Sequence, residues 1–177
     1  MLETKRLILR NWRESDLPEF ATMNADKRVM EFFPSPLTSL ESDALVTKFT
    51  KHFADHGYGL WAVEVKGEAP FIGFIGLAIP SFAAHFTPCV EIGWRIAYEH
   101  WGNGYATEGA KAVLQYGFEV LSLKEIVSFT AEINTRSQNV MQKIGMTHNP
   151  DDDFDHPHPS IPTGHQLKKH VLYRKGS

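Results

Sequence analysis

The sequence predicts an α/β (α+β) fold in which residues 1–177 form a single domain. Three observations lead there. Period-2 apolar segments alternate along the chain with segments of helical period. Leu60–Lys66 and Phe71–Ile79, separated by the turn Gly67–Pro70, read as an antiparallel hairpin. The apolar run Val90–Ala97 is followed by the glycine-bearing turn Trp101–Ala106 and then by the most strongly amphipathic stretch of the chain.

In chain order, Arg6–Arg10 reads as a first strand. Ser15 is placed to cap a short helix through Asn24, with Asp16 and Glu19 suited to its positive end. Phe32–Pro36 is a proline-punctuated loop. Thr38 or Ser39 starts a second helix to Ala54, with Leu40, Ala44, Leu45, Phe49 and Phe53 at helical spacing and Gly57–Gly59 ending it. In the next strand Trp61, Val63 and Val65 share a face. Ala106, Ala110, Val113, Leu114, Gly117 and Leu121 line one side of a third helix, Tyr105–Leu121. Its internal Gly109 and Gly117 each cost about 1 kcal/mol against alanine, which close packing on the sheet explains. Glu125–Ile133 is a strand, Asn134–Ile144 a short helix ended by Gly145, Asn149–His165 a structured loop, and Leu167–Arg174 the last strand.

Composition narrows the function. The chain is 42% hydrophobic and 22% charged, with net charge −3 and a sequence pI near 6.3. That balance argues against nucleic acid as a partner and is compatible with an amine. The single cysteine, Cys89, excludes an internal disulfide and a cysteine-based zinc site. The charged N-terminus lacks a signal-peptide apolar stretch, and no apolar run reaches the ~20 residues of a membrane span. The expectation is a cytoplasmic protein with no membrane partner.

Four groups of residues carry chemistry. The turn Trp101-Gly102-Asn103-Gly104-Tyr105-Ala106 sits between a strand and a helix N-terminus, so its N–H groups can converge on phosphate oxygens. It lacks the lysine of a Walker loop and the third glycine of a dinucleotide fingerprint. Asn134-Thr135-Arg136-Ser137 opens a helix directly after a strand. Asn134 or Thr135 is a helix cap there, Thr135 and Gln138 form a capping box, and an asparagine amide at this point can also meet an amide-rich ligand. Glu91, flanked by Val90 and Ile92, is either a general base with a raised pKa or an exposed glutamate paired with a basic neighbour. His156, His158, His165 and His170 match no standard zinc spacing, and no metal is expected. The acids Asp151, Asp152, Asp153 and Asp155 are either a solvated loop or an attraction for a cationic substrate.

Taken in order, these motifs, with Lys143-x-Gly145-Met146, resemble the GNAT superfamily of N-acetyltransferases over nearly the whole chain. Glu3-Thr-Lys-Arg-Leu-Ile-Leu-Arg10 and Trp101-Gly-Asn-Gly-Tyr-Ala-Thr-Glu108 are similar to its RimJ/RimL-type branch. The resemblance implies a twisted mixed, mainly antiparallel sheet of about seven strands with about four helices, splayed between the fourth and fifth strands. It implies acetyl-CoA as cosubstrate, with the pyrophosphate on the amides of Gly102, Asn103, Gly104, Tyr105, Ala106 and Thr107. The pantetheine arm would lie along the backbone near Trp94 and Ile96 and against Asn134. Glu91 matches the family's base and Ser137 a proposed acid. The acceptor implied is a primary amine, a protein N-terminus or a small molecule such as a polyamine, amino acid or aminoglycoside. The alternative is a non-catalytic acyl-CoA-binding sensor or scaffold, and a homodimer is compatible with either. Two positions depart from the family pattern: Trp101 replaces a polar or basic residue, and Met141 stands where many members have a tyrosine acid.

Overall fold

A computed structural model describes residues 1–177. The strands are β1 (Leu2–Glu3), β2 (Leu7–Arg10), β3 (Leu60–Val65), β4 (Ala69–Ala78), β5 (Glu91–Ile96), β6 (Glu125–Ala131), β7 (Thr147–His148), β8 (Phe154–Asp155) and β9 (Lys169–Gly176). The helices are α1 (Leu17–Ala25), α2 (Ser39–His56), α3 (Tyr105–Glu119) and α4 (Thr135–Lys143). One mixed sheet runs in the order β1-β2-β3-β4-β5-β6-β9-β7, with β8 added on β9. Every pairing is antiparallel except β5 with β6.

Strand alternation divides the core. Leu7, Leu9, Trp61, Val63, Ile75, Leu77, Ile92 and Ile126 face one side, where α3 and α4 cover them with Val113, Leu114 and Met141. Ala62, Phe71 and Phe74 face the other, under Phe20, Met23 and Val46 of α1 and α2. The glycines of α3 are packing glycines: a Cβ on Gly109 would stand 2.4 Å from Ile75 Cδ1, and one on Gly117 2.6 Å from Ile126 Cδ1. The helix lies as close to the sheet as its backbone allows.

Several boundaries differ from the sequence reading. The cap of α1 is Asp16, not Ser15, because a single 3-10 turn, Glu14–Asp16, precedes it. Asp16 is 2% exposed and holds Arg10 through two hydrogen bonds, Nη1–Oδ2 2.8 Å and Nη2–Oδ1 2.9 Å. At α2, Thr38 is the cap, and its Oγ1 accepts from Glu41 N while Glu41 accepts from Thr38 N. Leu40, expected on the apolar face, is 80% exposed. The sheet has nine strands rather than about seven, since the two-residue strands β1, β7 and β8 exist only through pairing with β2 and β9. No helix is long and apolar enough to cross a membrane.

Candidate active site

The sheet opens where β5 meets β6. The two strands share one register pair, Glu91 with Val127, and part beyond it. Near the junction Val127 N donates to Val90 O (2.9 Å) and the Ser128 hydroxyl donates to Ile92 O (2.9 Å). The β4–β5 ladder, fixed at one end by Ala97 N to Ile72 O, turns the backbone groups of Ile92, Trp94 and Ile96 away from β4. They face the gap. The Ile96 carbonyl is taken by the Trp101 indole N–H at 2.7 Å, whereas Trp94 keeps both its N–H and its C=O for whatever enters.

The glycine turn stands at the mouth of this gap. Gly102 and Gly104 both have left-handed backbone, φ +77° and +78°, a conformation that L side chains adopt only at a cost. Gly104 caps α3 with no side chain, and the first helical bond is Glu108 N to Gly104 O. The N–H groups of Tyr105, Ala106 and Thr107 therefore lack helical partners. Asn103 is exposed and braces the turn, its amide donating to His100 O (3.2 Å) and Trp101 O (3.3 Å). A cation missed in the sequence lies beside it. Arg6 Nη2 is 3.7 Å from where a Cβ on Gly104 would stand, and the guanidinium carbon is 4.7 Å from the centre of the Tyr105 ring. Glu108 holds Arg6 through Nε (2.7 Å) and also accepts from Thr4 Oγ1 (2.6 Å) and Arg6 N (2.9 Å). A guanidinium thus reaches the glycine turn from the bend just before β2, about a hundred residues earlier.

Across the gap, α4 points its N-terminus inward. Asn134, not a Thr135–Gln138 box, caps it: Oδ1 accepts from Ser137 N at 3.2 Å and Nδ2 donates to Thr130 Oγ1 at 2.9 Å. Gln138 instead donates to Glu132 O. The cap leaves Asn134 one amide hydrogen and one lone pair for a ligand. Ser137 is half-buried in the first turn of α4. Met141 is 1% exposed, packed in the core. Arg136 bridges the mouth, 4.7 Å from the Trp101 ring and 5.2 Å from Phe32, and pairs with Glu31.

On the opposite face of β5 lie Glu91, Gly93 and Arg95. Glu91 is half-buried, and desolvation alone pushes its carboxyl up to about 8. Burial also pulls Arg95 down to about 10. Arg95 Nη1 donates to Asn24 Oδ1 at 2.6 Å, and its guanidinium lies 4.1 Å from Phe33 and 5.4 Å from Phe74. Beyond the junction, Phe129 shares this face with Val127 and packs with Phe82, Phe86 and Phe154. His156 and His170 stack against this cluster, 4.7 Å apart, and desolvation takes His156 down to about 4. No group of three or more His, Cys, Asp or Glu residues has metal-ligand geometry. Two of the four loop acids are engaged: Asp152 pairs with Arg174 (2.8 Å), and Asp153 meets His148 (2.8 Å).

The chain matches the family described as "Acetyltransferase (GNAT) domain" over residues 6–147. It is 37% identical over 61% of its length to the FsC-acetyl coenzyme A-N(2)-transacetylase of Aspergillus fumigatus, and the match spans about half, 48%, of that longer relative. It is 32% identical to the uncharacterized N-acetyltransferase YnaD of Bacillus subtilis, covering 82% of this chain and 81% of that one. Its fold superposes on the crystal structure of a GNAT-family acetyltransferase from Bacillus anthracis with TM-score 0.78, 28% identity, and 99% and 97% of the two chains covered.

Proposed function

The chain belongs to the GNAT acetyltransferase family, and on that premise we propose that it transfers the acetyl group of acetyl-CoA to a primary amine by direct attack, within the RimJ/RimL-type branch. The observation that carries this reading is the pairing of a one-sided open strand with an anion cradle. The free N–H and C=O of Trp94 fit the amide groups of a pantetheine arm, added as an extra strand. The unpartnered amides at Tyr105–Thr107 and the Arg6 guanidinium fit its phosphates. Asn134 has one donor and one acceptor left for the same arm. Acetyl-CoA, when bound, supplies the thioester whose carbonyl carbon the amine attacks.

The residues of the chain then have distinct tasks. Glu91 takes the proton from the acceptor ammonium, directly or through water. A carboxyl near 8 is a stronger base than an ordinary glutamate and is partly ionised at neutral pH. Backbone N–H groups of β5 polarise the thioester carbonyl. Ser137, or solvent, returns a proton to the leaving thiolate, because Met141 cannot. The amine stands on the Glu91 face of β5, and the thioester reaches it through the opening between β5 and β6. We take residues 1–177 as one catalytic domain, working in the cytoplasm, with a homodimer compatible with this arrangement.

Thiol release from acetyl-CoA across a panel of amines and peptides tests the proposal. Turnover with at least one acceptor, lost in Glu91→Gln at unchanged acetyl-CoA affinity, is expected. Tight acetyl-CoA binding without turnover for every acceptor overturns it in favour of a sensor or scaffold.

A further inference from the structure

Arg95 is a largely buried cation without a counter-charge. Its Nε has no hydrogen-bond partner and no access to solvent, and Nη1 is held by a neutral amide, Asn24. Asn24 is itself fully buried and fixed by donation to the Ser42 hydroxyl at 2.7 Å. An uncompensated buried charge is among the costliest features a fold retains; the Asn24 amide and the faces of Phe33 and Phe74 offset part of that cost and leave the guanidinium without an anion. An arginine that served only to fill the space between Phe33 and Phe74 could be an apolar residue.

Its position gives the charge a use. Side chains of Glu91, Gly93 and Arg95 emerge on the same face of β5. The space over Gly93 is empty: a Cβ there would meet Glu91 Oε1 at 3.8 Å and no other atom within 4 Å. A carboxylate and a guanidinium thus flank an open strip of strand. Their Cα atoms are roughly 13 Å apart, four residues of extended chain; Glu91 Oε1 lies over Gly93, and the Arg95 guanidinium sits against Asn24 and Phe33.

The surrounding charges point the same way. Four acids of this side of the molecule are tied up in side-chain contacts: Asp26 with Arg28, Glu31 with Arg136, Asp152 with Arg174, and Asp153 with His148. An anion finds an unpaired arginine.

We propose that the acceptor carries an anionic group received by Arg95, so that the enzyme acetylates an amphoteric small amine, amino group toward Glu91 and carboxylate or phosphate toward Asn24. The proposal rests on the acetyltransferase reading above and narrows its acceptor.

The experiment compares matched acceptors. Amino acids are set against their methyl esters and their decarboxylated amines, phosphoethanolamine against ethanolamine, and spermidine is included. Wild-type kcat/KM is expected to favour the anionic member of the preferred pair by about 10- to 100-fold, the discrimination of a charge-assisted hydrogen-bonded pair. Whichever pair shows it distinguishes carboxylate from phosphate. In Arg95→Met that ratio should fall towards one, through KM, while Arg95→Lys keeps part of it. Acetyl-CoA affinity and melting temperature, measured on the same variants, separate lost recognition from lost fold. Equal or better turnover of esters, simple amines or spermidine by the wild type overturns the proposal and leaves acetyl transfer standing. A ratio unchanged in Arg95→Met also overturns it. Absence of thiol release with every acceptor sinks the acetyltransferase reading and this inference with it.

Discussion

Replacing Glu91 by glutamine should make the protein more stable and less active, and the stability gain should depend on pH in a defined direction. The unfolded chain ionises this carboxyl near 4.5, and the folded one near 8. Below about pH 4.5 both states hold the proton, and the substitution changes little. As pH rises, the unfolded state ionises freely while the folded state resists, so folding of the wild type becomes progressively less favourable, levelling off above about 8. At about 1.4 kcal/mol per pH unit the gross penalty approaches ~5 kcal/mol. The half-exposed setting of the carboxylate reduces it, and a glutamine amide placed there carries its own cost of about 1–2 kcal/mol. A net gain of roughly 1–2 kcal/mol at pH 8.5 remains. For a chain of 177 residues, with an unfolding entropy of about 0.37 kcal/mol/K, that is about 3–5 °C in melting temperature. Calorimetric scans of both proteins from pH 4 to 9 measure it. In parallel, kcat/KM should fall by about 10²–10⁴-fold, and the rise of wild-type activity with pH towards about 8 should disappear. A melting difference that stays flat with pH, or a variant less stable than wild type at pH 8.5, would refute the claim that Glu91 is held in its raised state by desolvation.

Three further outcomes are expected. Gly104→Val forces a β-branched residue to φ +78° and should cost about 1–3 kcal/mol of stability. It should weaken acetyl-CoA binding by at least ~100-fold in calorimetry, and unchanged affinity would remove the turn from the phosphate site. Arg6→Gln should weaken acetyl-CoA by about 5- to 10-fold, with a shallower dependence on salt than wild type; parallel salt curves would rule out Arg6 as a phosphate cation. Asp16→Ala leaves the buried Arg10 with Glu64 as its one carboxylate, its Nε 3.0 Å away, beside the Asn11 and Pro70 carbonyls, and should destabilise by about 3 kcal/mol or more, near 8 °C by melting. A shift under ~2 °C would mean that Glu64 compensates.

What was legible in the sequence is what depends on local pattern. Period-2 runs gave β3 to β6, the i, i+4 stripe gave α3, and Gly145 marked the end of α4 because only that conformation closes it. The close approach of Gly109 and Gly117 to the sheet was likewise readable, since two glycines inside an amphipathic helix weaken it unless the missing side chains let a neighbour come nearer. What was not legible depends on contacts between distant residues. Arg6 reaches the glycine turn from the bend before β2, about a hundred residues earlier, and nothing near Gly104 in sequence announces it. Asp16 reads as a helix-dipole acid until Arg10 is folded against it. Arg95 looks like any polar residue in a half-exposed strand, and only its lack of a carboxylate partner makes it notable. The acids at 151–155 read either as a solvated loop or as an attraction for cations, and the contacts of Asp152 with Arg174 and of Asp153 with His148 depend on pairings invisible in the local pattern.

The parting of β5 from β6 has a consequence for solubility. A strand with free N–H and C=O groups invites other chains to add to it, the hazard that edge strands present in aggregation. Here the free edge lies in the middle of a sheet. The Ser128 hydroxyl stoppers the Ile92 carbonyl at its closed end, and the Trp101 indole stoppers the Ile96 carbonyl at its open end. Between the two stoppers the C=O of Trp94 is left free, too short a stretch to template a strand from a neighbouring protein. Trp101 thus shortens the open stretch of an internal edge by closing off the Ile96 carbonyl.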